Sequence, residues 1–254
     1  MSCSRPEPKG ALVTTQSMAS LIRNRLLQQL RPEDLKRLEG LLQPVALNVN
    51  DVLIAPNKPI EYAYFVEQGL CSVIAISKGD QRIEVGDVGR EGFSGTPIVL
   101  DVDSSPHLTF VQIAGSALRI KTSDLRDVID GSPSFRNLLL RYVHTLIIQV
   151  GHTALSNGRA KIETRLARWI LMCHDRLDGD EVPLTHQFLA LMLGVRRSGV
   201  TTALHILEGE HIIRATRGRV LVLDRARLVD FAADTYGVPE VEYERVIGVP
   251  ISHI

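Results

Sequence analysis

The sequence predicts an α+β chain in three parts: an N-terminal antiparallel β domain, a long central helix and a compact C-terminal unit that is mostly helical. Three observations carry this. Short β-rich runs broken by Gly, Pro, Asn and Asp fill residues 45–120. One helical stretch with few charges follows from Pro133. Near the C-terminus two short helical patterns meet at a glycine and lead into a β-hairpin. The expected divisions are a tail at 1–20, the β domain with its leading helices at 21–131, the long helix at 132–157, the C-terminal unit at 158–236 and a second tail at 237–254.

Residues 21–42 carry apolar side chains at helical spacing, interrupted at Arg31-Pro32, which predicts two short helices. The apolar runs at 52–54, 62–66 and 71–76 are then separated by Pro56-Asn57, Gly69, Gly79-Asp80 and the glycines from Gly86 to Gly95. Strands of this length and spacing predict a sandwich or barrel. At Gly131-Ser132-Pro133 the signal turns helical: Ser132 is placed to cap, and Pro133 suits the first helical position, where a missing N–H costs nothing. Leu139, Val143, Leu146, Val150 and Thr153 follow the spacing of a coiled-coil seam, and Leu138, Leu140, Ile147 and Ile148 widen the apolar surface beyond it. A helix apolar over most of its circumference needs partners on two sides. The expected partners are the β domain and a second copy of the helix; the alternative is burial within one chain. Asn157-Gly158 is the expected break before a helix from 162 to about 177, closed by Asp178-Gly179-Asp180.

Composition excludes several classes. At 44% hydrophobic and 23% charged, the chain has a globular core to bury. Cys3, Cys71 and Cys173 lie far apart with no CxxC pair, which excludes a disulfide framework, a zinc knot or an iron–sulfur cluster and suits a reducing cytosol. The eight histidines lack ligand spacing, so neither a metal site nor a cofactor is expected. No apolar stretch approaches the roughly 18 residues of a membrane span, and the polar first 17 residues lack a signal-peptide core. The expectation is a cytoplasmic protein without membrane contact. The glycines at 86–95 are followed by no Gly-Lys-Ser/Thr, so they form no phosphate loop. With no nucleophile–base pairing either, an enzyme is not expected.

Acidic and basic residues balance at 29 each, yet between Arg196 and Arg227 seven arginines meet only three carboxylates. Such a patch on a neutral protein suits phosphate binding through one face. It coincides with a local pattern. Thr185 can cap a helix carrying Phe188, Leu189, Met192 and Leu193; Ala190 stands four residues before Gly194, so two helices can approach closely around a left-handed turn. Val195, Val200 and Leu204 then face inward, while Arg196, Arg197, Ser198, Thr201, Thr202 and His205 face out. This is the layout of a recognition helix. Apolar runs around Arg217-Gly218-Arg219 follow as a hairpin wing with a basic tip.

On these residues the chain resembles the Crp/Fnr family of bacterial regulators, over about 21–236. The resemblance includes Tyr64-Phe65-Val66-Glu67-Gln68-Gly69, Gly95, the long helix, Arg165-Leu166-Ala167 and the motif Leu189-Ala190, Leu193-Gly194, Arg197, Val200, Leu204 and Leu207-Glu208. It looks most like the subgroup common in rhizobia-type bacteria. It implies a jelly-roll, cyclic-nucleotide-binding-like effector domain, dimerisation through about 133–156 and a winged helix-turn-helix. Homodimers would read palindromic promoter sites in double-stranded DNA, with RNA polymerase as a protein partner. Arg197 matches the family's first specificity arginine; Ser198 stands where an acidic residue is frequent and Thr202 where a second arginine is frequent, so the sequence read differs from the family's best-known one. Arg196, Arg197, Ser198 and Thr202 are assigned to base readout, and Thr185, Arg217 and Arg219 to phosphate.

The same resemblance speaks against cyclic AMP. Gly95 matches the family's phosphate cassette, but Thr96 replaces its glutamate, His107-Leu108-Thr109 stands in place of its Arg-Ser-Ala, and Val150-Gly151 replaces a purine-touching Thr-Ser pair. Losing the arginine removes a charge-assisted contact that backbone amides cannot replace. Gly95, Thr96, His107, Thr109 and Val150 mark the expected effector pocket. The β domain either binds an unidentified small molecule or serves as a dimer scaffold. Where a ligand acts, it would re-space the recognition helices about a hinge near Asn157-Gly158. A competing reading is a sensor module whose helix-turn-helix docks on proteins, but arginines at both helix and wing oppose it.

Overall fold

The structure, a computed structural model, describes residues 22–252, so the expected tail at 1–20 and Cys3 lie outside the described residues. Two short helices lead, α1 (Arg25–Gln28) and α2 (Pro32–Leu38), the second begun by the expected proline. The β domain holds β1 (Gln43–Leu47), β2 (Val52–Ile54), β3 (Tyr62–Ile76), β4 (Arg82–Val88), β5 (Phe93–Ser94) and β6 (Leu108–Lys121), with a short helix α3 (Thr96–Val99) before the last strand. All pairings are antiparallel: the order is β1-β6-β3-β4, with β2 also on β6 and β5 on β3.

The runs at 62–66 and 71–76, expected as separate strands, form one strand of 15 residues. Gly69 is not a turn but lies within it, where the β3–β6 register shifts. Its φ is 87°, and a Cβ there would sit 2.4 Å from the Ile113 carbonyl oxygen. Glycine therefore permits a bulge that keeps the two strands paired. Beyond it the strand alternates. Cys71 joins Leu47, Val66, Val88, Val111 and Ala117 in a small apolar cluster within the β domain. Leu70 and Ile74, with Phe110 and Ile113 of β6, face outward into a second core shared with the C-terminal unit.

Helix α4 (Thr122–Gly131), which the sequence reading missed, leads into α5 (Pro133–Arg159). The Ser132 hydroxyl caps α5 as expected, accepting from the Phe135 amide at 3.2 Å. Two expectations about α5 are corrected. The helix runs through Asn157-Gly158 and ends at Ala160, because one glycine costs a helix only about 1 kcal/mol and the Asn157 side chain is held by Arg165 Nε at 3.0 Å. The predicted seam also points inward at its start: Leu139 is 0% and Val143 6% exposed, packed among this chain's own residues. The row left outside is Leu140, His144, Ile147, Gly151 and Ala154, one residue on. Periodicity cannot distinguish two seams on a helix that is apolar nearly all round.

The C-terminal unit comprises α6 (Ile162–Arg176), β7 (Glu181–Pro183), α7 (His186–Leu193), α8 (Arg197–Gly209), β8 (Ile213–Thr216), β9 (Arg219–Val222) and α9 (Arg225–Ala232), with the small sheet ordered β7-β9-β8. The segment expected as a patternless tail forms α10 (Val238–Ile247). Pro239, Tyr243 and Ile247 are its buried row, four residues apart, and Tyr243 Oη donates to the Glu91 carbonyl at 2.7 Å. Tyr243, Ile247 and Ile251 thus return to the core of the β domain and α5. Among the described residues no helix is long and apolar enough to cross a membrane, and no group of three or more His, Cys, Asp or Glu is placed to hold a metal ion.

A buried polar seat joins the two halves. Trp169 Nε1 on α6 donates to Glu84 on β4 at 2.7 Å, and Arg176 Nε donates to Glu91 at 2.9 Å while its Nη2 lies 3.4 Å from Asp87. Burial first, then the neighbouring Asp87 charge, pushes the Glu84 carboxyl up from 4.5 to about 8. A raised folded-state pKa means stability that is present below about 4.5 and lost as pH rises through about 8. Glu84→Gln removes that loss: its melting temperature should gain on the wild type as pH goes from 5 to 8. A constant offset between the two melting curves across that range would refute the assignment.

Candidate nucleic-acid interface

The interface begins with local backbone chemistry. Thr185 Oγ1 accepts from the Phe188 amide at 3.3 Å and caps α7, burying Leu189, Met192 and Leu193 below. Gly194 takes φ 60°, and the Val195 amide donates back to the Ala190 carbonyl at 3.0 Å, which turns the chain sharply into α8. Val200, Ala203, Leu204 and Leu207 face inward from α8. Arg196, Arg197, Ser198, Thr202 and His205 are exposed on the opposite face. No side chain caps the N-terminus of α8, so its free amides add a positive field beside the two arginines.

The wing is fixed to this helix. The Ala215 amide donates to Glu208 of α8 at 2.8 Å, and the Leu184 amide donates to the Gly218 carbonyl at 2.9 Å. Thr216 pairs with Arg219, leaving Arg217-Gly218 as a two-residue turn with Gly218 at φ 82°. As a result Thr185 and Arg197 line one open cleft together with His205, Thr216, Arg217 and Gly218. Residues proposed for base edges and for phosphate are thereby brought side by side. His186 and Thr216 also line the cleft, although neither was assigned a role from sequence. Each adjoins an assigned residue, which was the only available signal.

The structure sorts the seven arginines. Arg219 pairs with Glu181 at 3.1 Å, Arg225 with Asp175 at 2.6 Å and Arg227 with Glu210 at 3.1 Å. The guanidinium groups of Arg196, Arg197, Arg214 and Arg217 carry no hydrogen bond or ion pair among the described residues. Thr202 Oγ1 donates to the Ser198 carbonyl at 3.2 Å, which leaves its lone pairs facing out as acceptors. Thr201 is drawn aside, donating to the Arg197 carbonyl with His186 Nδ1 at 3.2 Å.

The five residues of the expected effector pocket are not gathered at one point. Gly95 begins α3 at φ 102°, so that Thr96 opens the helix, and an added Cβ on Gly95 would lie 3.0 Å from that of Ala63. Thr109 is buried and pairs with Val73, ten residues further along β3 than Ala63, or about 30 Å of strand. His107 is half-buried, its amide donating to Ser105 Oγ at 3.1 Å, and Val150 lies partly exposed on α5 against Gly86.

Residues 164–231 match the Crp-like helix-turn-helix domain family. The fold is similar to that of FixK2 from Bradyrhizobium japonicum, at 18% identity and a TM-score of 0.63 over 76% of this chain and 98% of that one. It is also similar to the c-di-GMP-responsive global regulator CLP of Xanthomonas campestris, at 16% identity and a TM-score of 0.61 over 76% and 99%. A CRP-family transcriptional regulator from Thermus thermophilus gives 16% identity and a TM-score of 0.60 over 84% and 100%. No curated protein matches the chain.

Two stability effects follow from the turn. Thr185→Ala loses the cap of α7 and should cost about 1 kcal/mol in denaturant unfolding. Gly194→Ala should cost about 1–2 kcal/mol, because its Cβ would lie 3.0 Å from Ile83 Cδ1 on backbone already in the left-handed region. Wild-type stability in the second variant would show that the turn is not held as described.

Proposed function

We infer that this chain, a Crp/Fnr-type transcription regulator by its helix-turn-helix domain and its fold, binds palindromic sites in double-stranded DNA as a homodimer. The observation that carries the reading is the cleft where the unpaired guanidinium of Arg197 on α8, that of Arg217 on the wing and the Thr185 hydroxyl converge. A helix laid in the major groove by its N-terminal end puts Arg197, Arg196, Ser198 and Thr202 against base edges. Arginine reads guanine bidentately, and the two hydroxyls accept from base amino groups. Thr185 and Arg217 flank this helix and reach backbone phosphate. Arg219 contributes less, since Glu181 already neutralises it.

The outer row of α5 supports dimerisation. Leu140, His144, Ile147, Gly151 and Ala154 recur at seam spacing, and an added Cβ on Gly151 would meet nothing within 4 Å, so a second helix can approach closely there. A two-fold pair of this kind presents its recognition helices to half-sites about one turn of DNA apart. RNA polymerase is the proposed protein partner of a regulator so placed. The residues that stand in the phosphate cassette, Thr96 and His107-Leu108-Thr109, support an effector other than cyclic AMP.

Selection of genomic fragments by the full chain at about 50 and 200 mM salt tests the reading. Enrichment of a palindrome supports it; retention of no fragment at either salt overturns it. Arg197→Ala should weaken operator binding by about 1–3 kcal/mol and relax one position of the site, whereas Arg217→Ala should weaken all sequences alike and reduce the salt slope by about 1. Unchanged operator affinity in the Arg197 variant would remove that residue from base readout.

A further inference from the structure

We propose that the second copy in the dimer is gripped by α10 as well as α5, which makes the last helix of the chain part of the dimer interface. The proposal rests on the homodimer reading above and extends it to a surface outside the matched helix-turn-helix region, which ends at residue 231. Among the described residues, half of the large hydrophobic side chains left exposed lie on these two helices: Leu140, Ile147, Val150 and Leu155 on α5, Val238 and Val241 on α10. Ile147 at 62% and Val241 at 67% are the most exposed of the set. Concentration of apolar surface on two adjoining helices marks an interaction face, since scattered exposed side chains would need no explanation.

The two exposed rows are continuous. His144 lies one helical turn from both Leu140 and Ile147, so it shares their face of α5. Its Nε2 lies 2.8 Å from Glu242 Oε1 on α10, and Glu242 is one turn from Val238. Arg245 bonds the same carboxylate at 2.7 Å and gives the face a charged margin. The apolar stripe of α5 therefore passes through the His144–Glu242 pair onto the outer side of α10. A second copy matches this surface best because a two-fold axis along α5 sets the same apolar stripe and the same margin against one another.

Area calls for more than α5. Its exposed row from Leu140 to Leu155 spans about 24 Å, and a strip about 10 Å wide offers about 240 Å² per copy, well short of the roughly 800 Å² typical of a stable interface; α10 adds about 150 Å². The consequence reaches the DNA-binding unit. Helix α10 follows that unit in the chain and is anchored beside it, with Arg168 Nε donating to the Thr235 carbonyl at 2.8 Å. Gripping α10 fixes the exit of the unit as α5 fixes its entry, so the spacing of the two α8 helices is set from both ends.

Sedimentation equilibrium of the full chain tests this with V238D/V241D beside Ile147→Asp. Both sites are exposed, and circular dichroism verifies the fold; V238S/V241S serves where the charged pair unfolds. V238D/V241D should raise the dimer dissociation constant about tenfold or more, with a smaller rise for the serine pair. A constant within twofold of wild type, while Ile147→Asp dissociates the dimer, overturns the α10 proposal and leaves the homodimer standing. A wild-type chain that is monomeric at micromolar concentration overturns both.

Discussion

The structure depends on the burial of one face: the outer side of the β3–β6 ladder. Leu70 and Ile74 from β3, with Phe110 and Ile113 from β6, share one core with Trp169, Leu193 and Val200 of the C-terminal unit. Phe110 and Phe188 meet as nearly parallel rings, 6.3 Å between centroids. Each such side chain contributes about 1.5–3 kcal/mol when removed from water, so the contact is a core and not a loose domain junction. Because α6 and α7 rest on the sheet and α8 rests on them, this burial fixes α8 with its arginine face left exposed.

The polar seat beside this core has a different role. Glu84, Asp87, Glu91, Arg168 and Arg176 are all buried, and Glu84 Oε2 and Asp87 Oδ2 have no hydrogen-bond partner among the described residues. Ionisable groups so placed give little net stability, because desolvation offsets what attraction they gain. They do penalise any other arrangement, since a shift of α6 would strand them unpaired. Two glycines make the close approach possible. A Cβ on Gly89 would lie 2.8 Å from Arg176 Cβ, and one on Gly92 would lie 2.0 Å from Tyr142 Oη. Read from sequence as turn punctuation, they do close a turn, with the Gly92 amide donating to the Gly89 carbonyl at 3.1 Å, and they also act as spacers that admit large polar side chains.

Helix α10 belongs to the same logic. Its sequence offers only one row of three buried residues, Pro239, Tyr243 and Ile247, too short to stand out as periodicity. Its partners lie far back in the chain: Tyr243 reaches Glu91, and Glu242 reaches His144, 98 residues earlier. Nothing local in residues 237–254 announces those contacts, which is why the segment reads as a tail until the fold closes around it.

What the sequence determined by itself is the helix-turn-helix and its wing. The Thr185 cap, the left-handed Gly194 and the Arg217-Gly218 turn each act through backbone hydrogen bonds within a few residues, so residue type and spacing suffice. The same holds for the Ser132-Pro133 start of α5. Only the tertiary structure decided that residues 62–76 are one strand and which side of α5 faces its own β domain. It also decided which arginines remain free: Arg219 looks equivalent to Arg217 in sequence, but Glu181, 38 residues away, neutralises it. Local signals specify an element because its backbone bonds close within a turn or two. They cannot specify which side chains an element meets, because that depends on strands and helices brought together from distant parts of the chain.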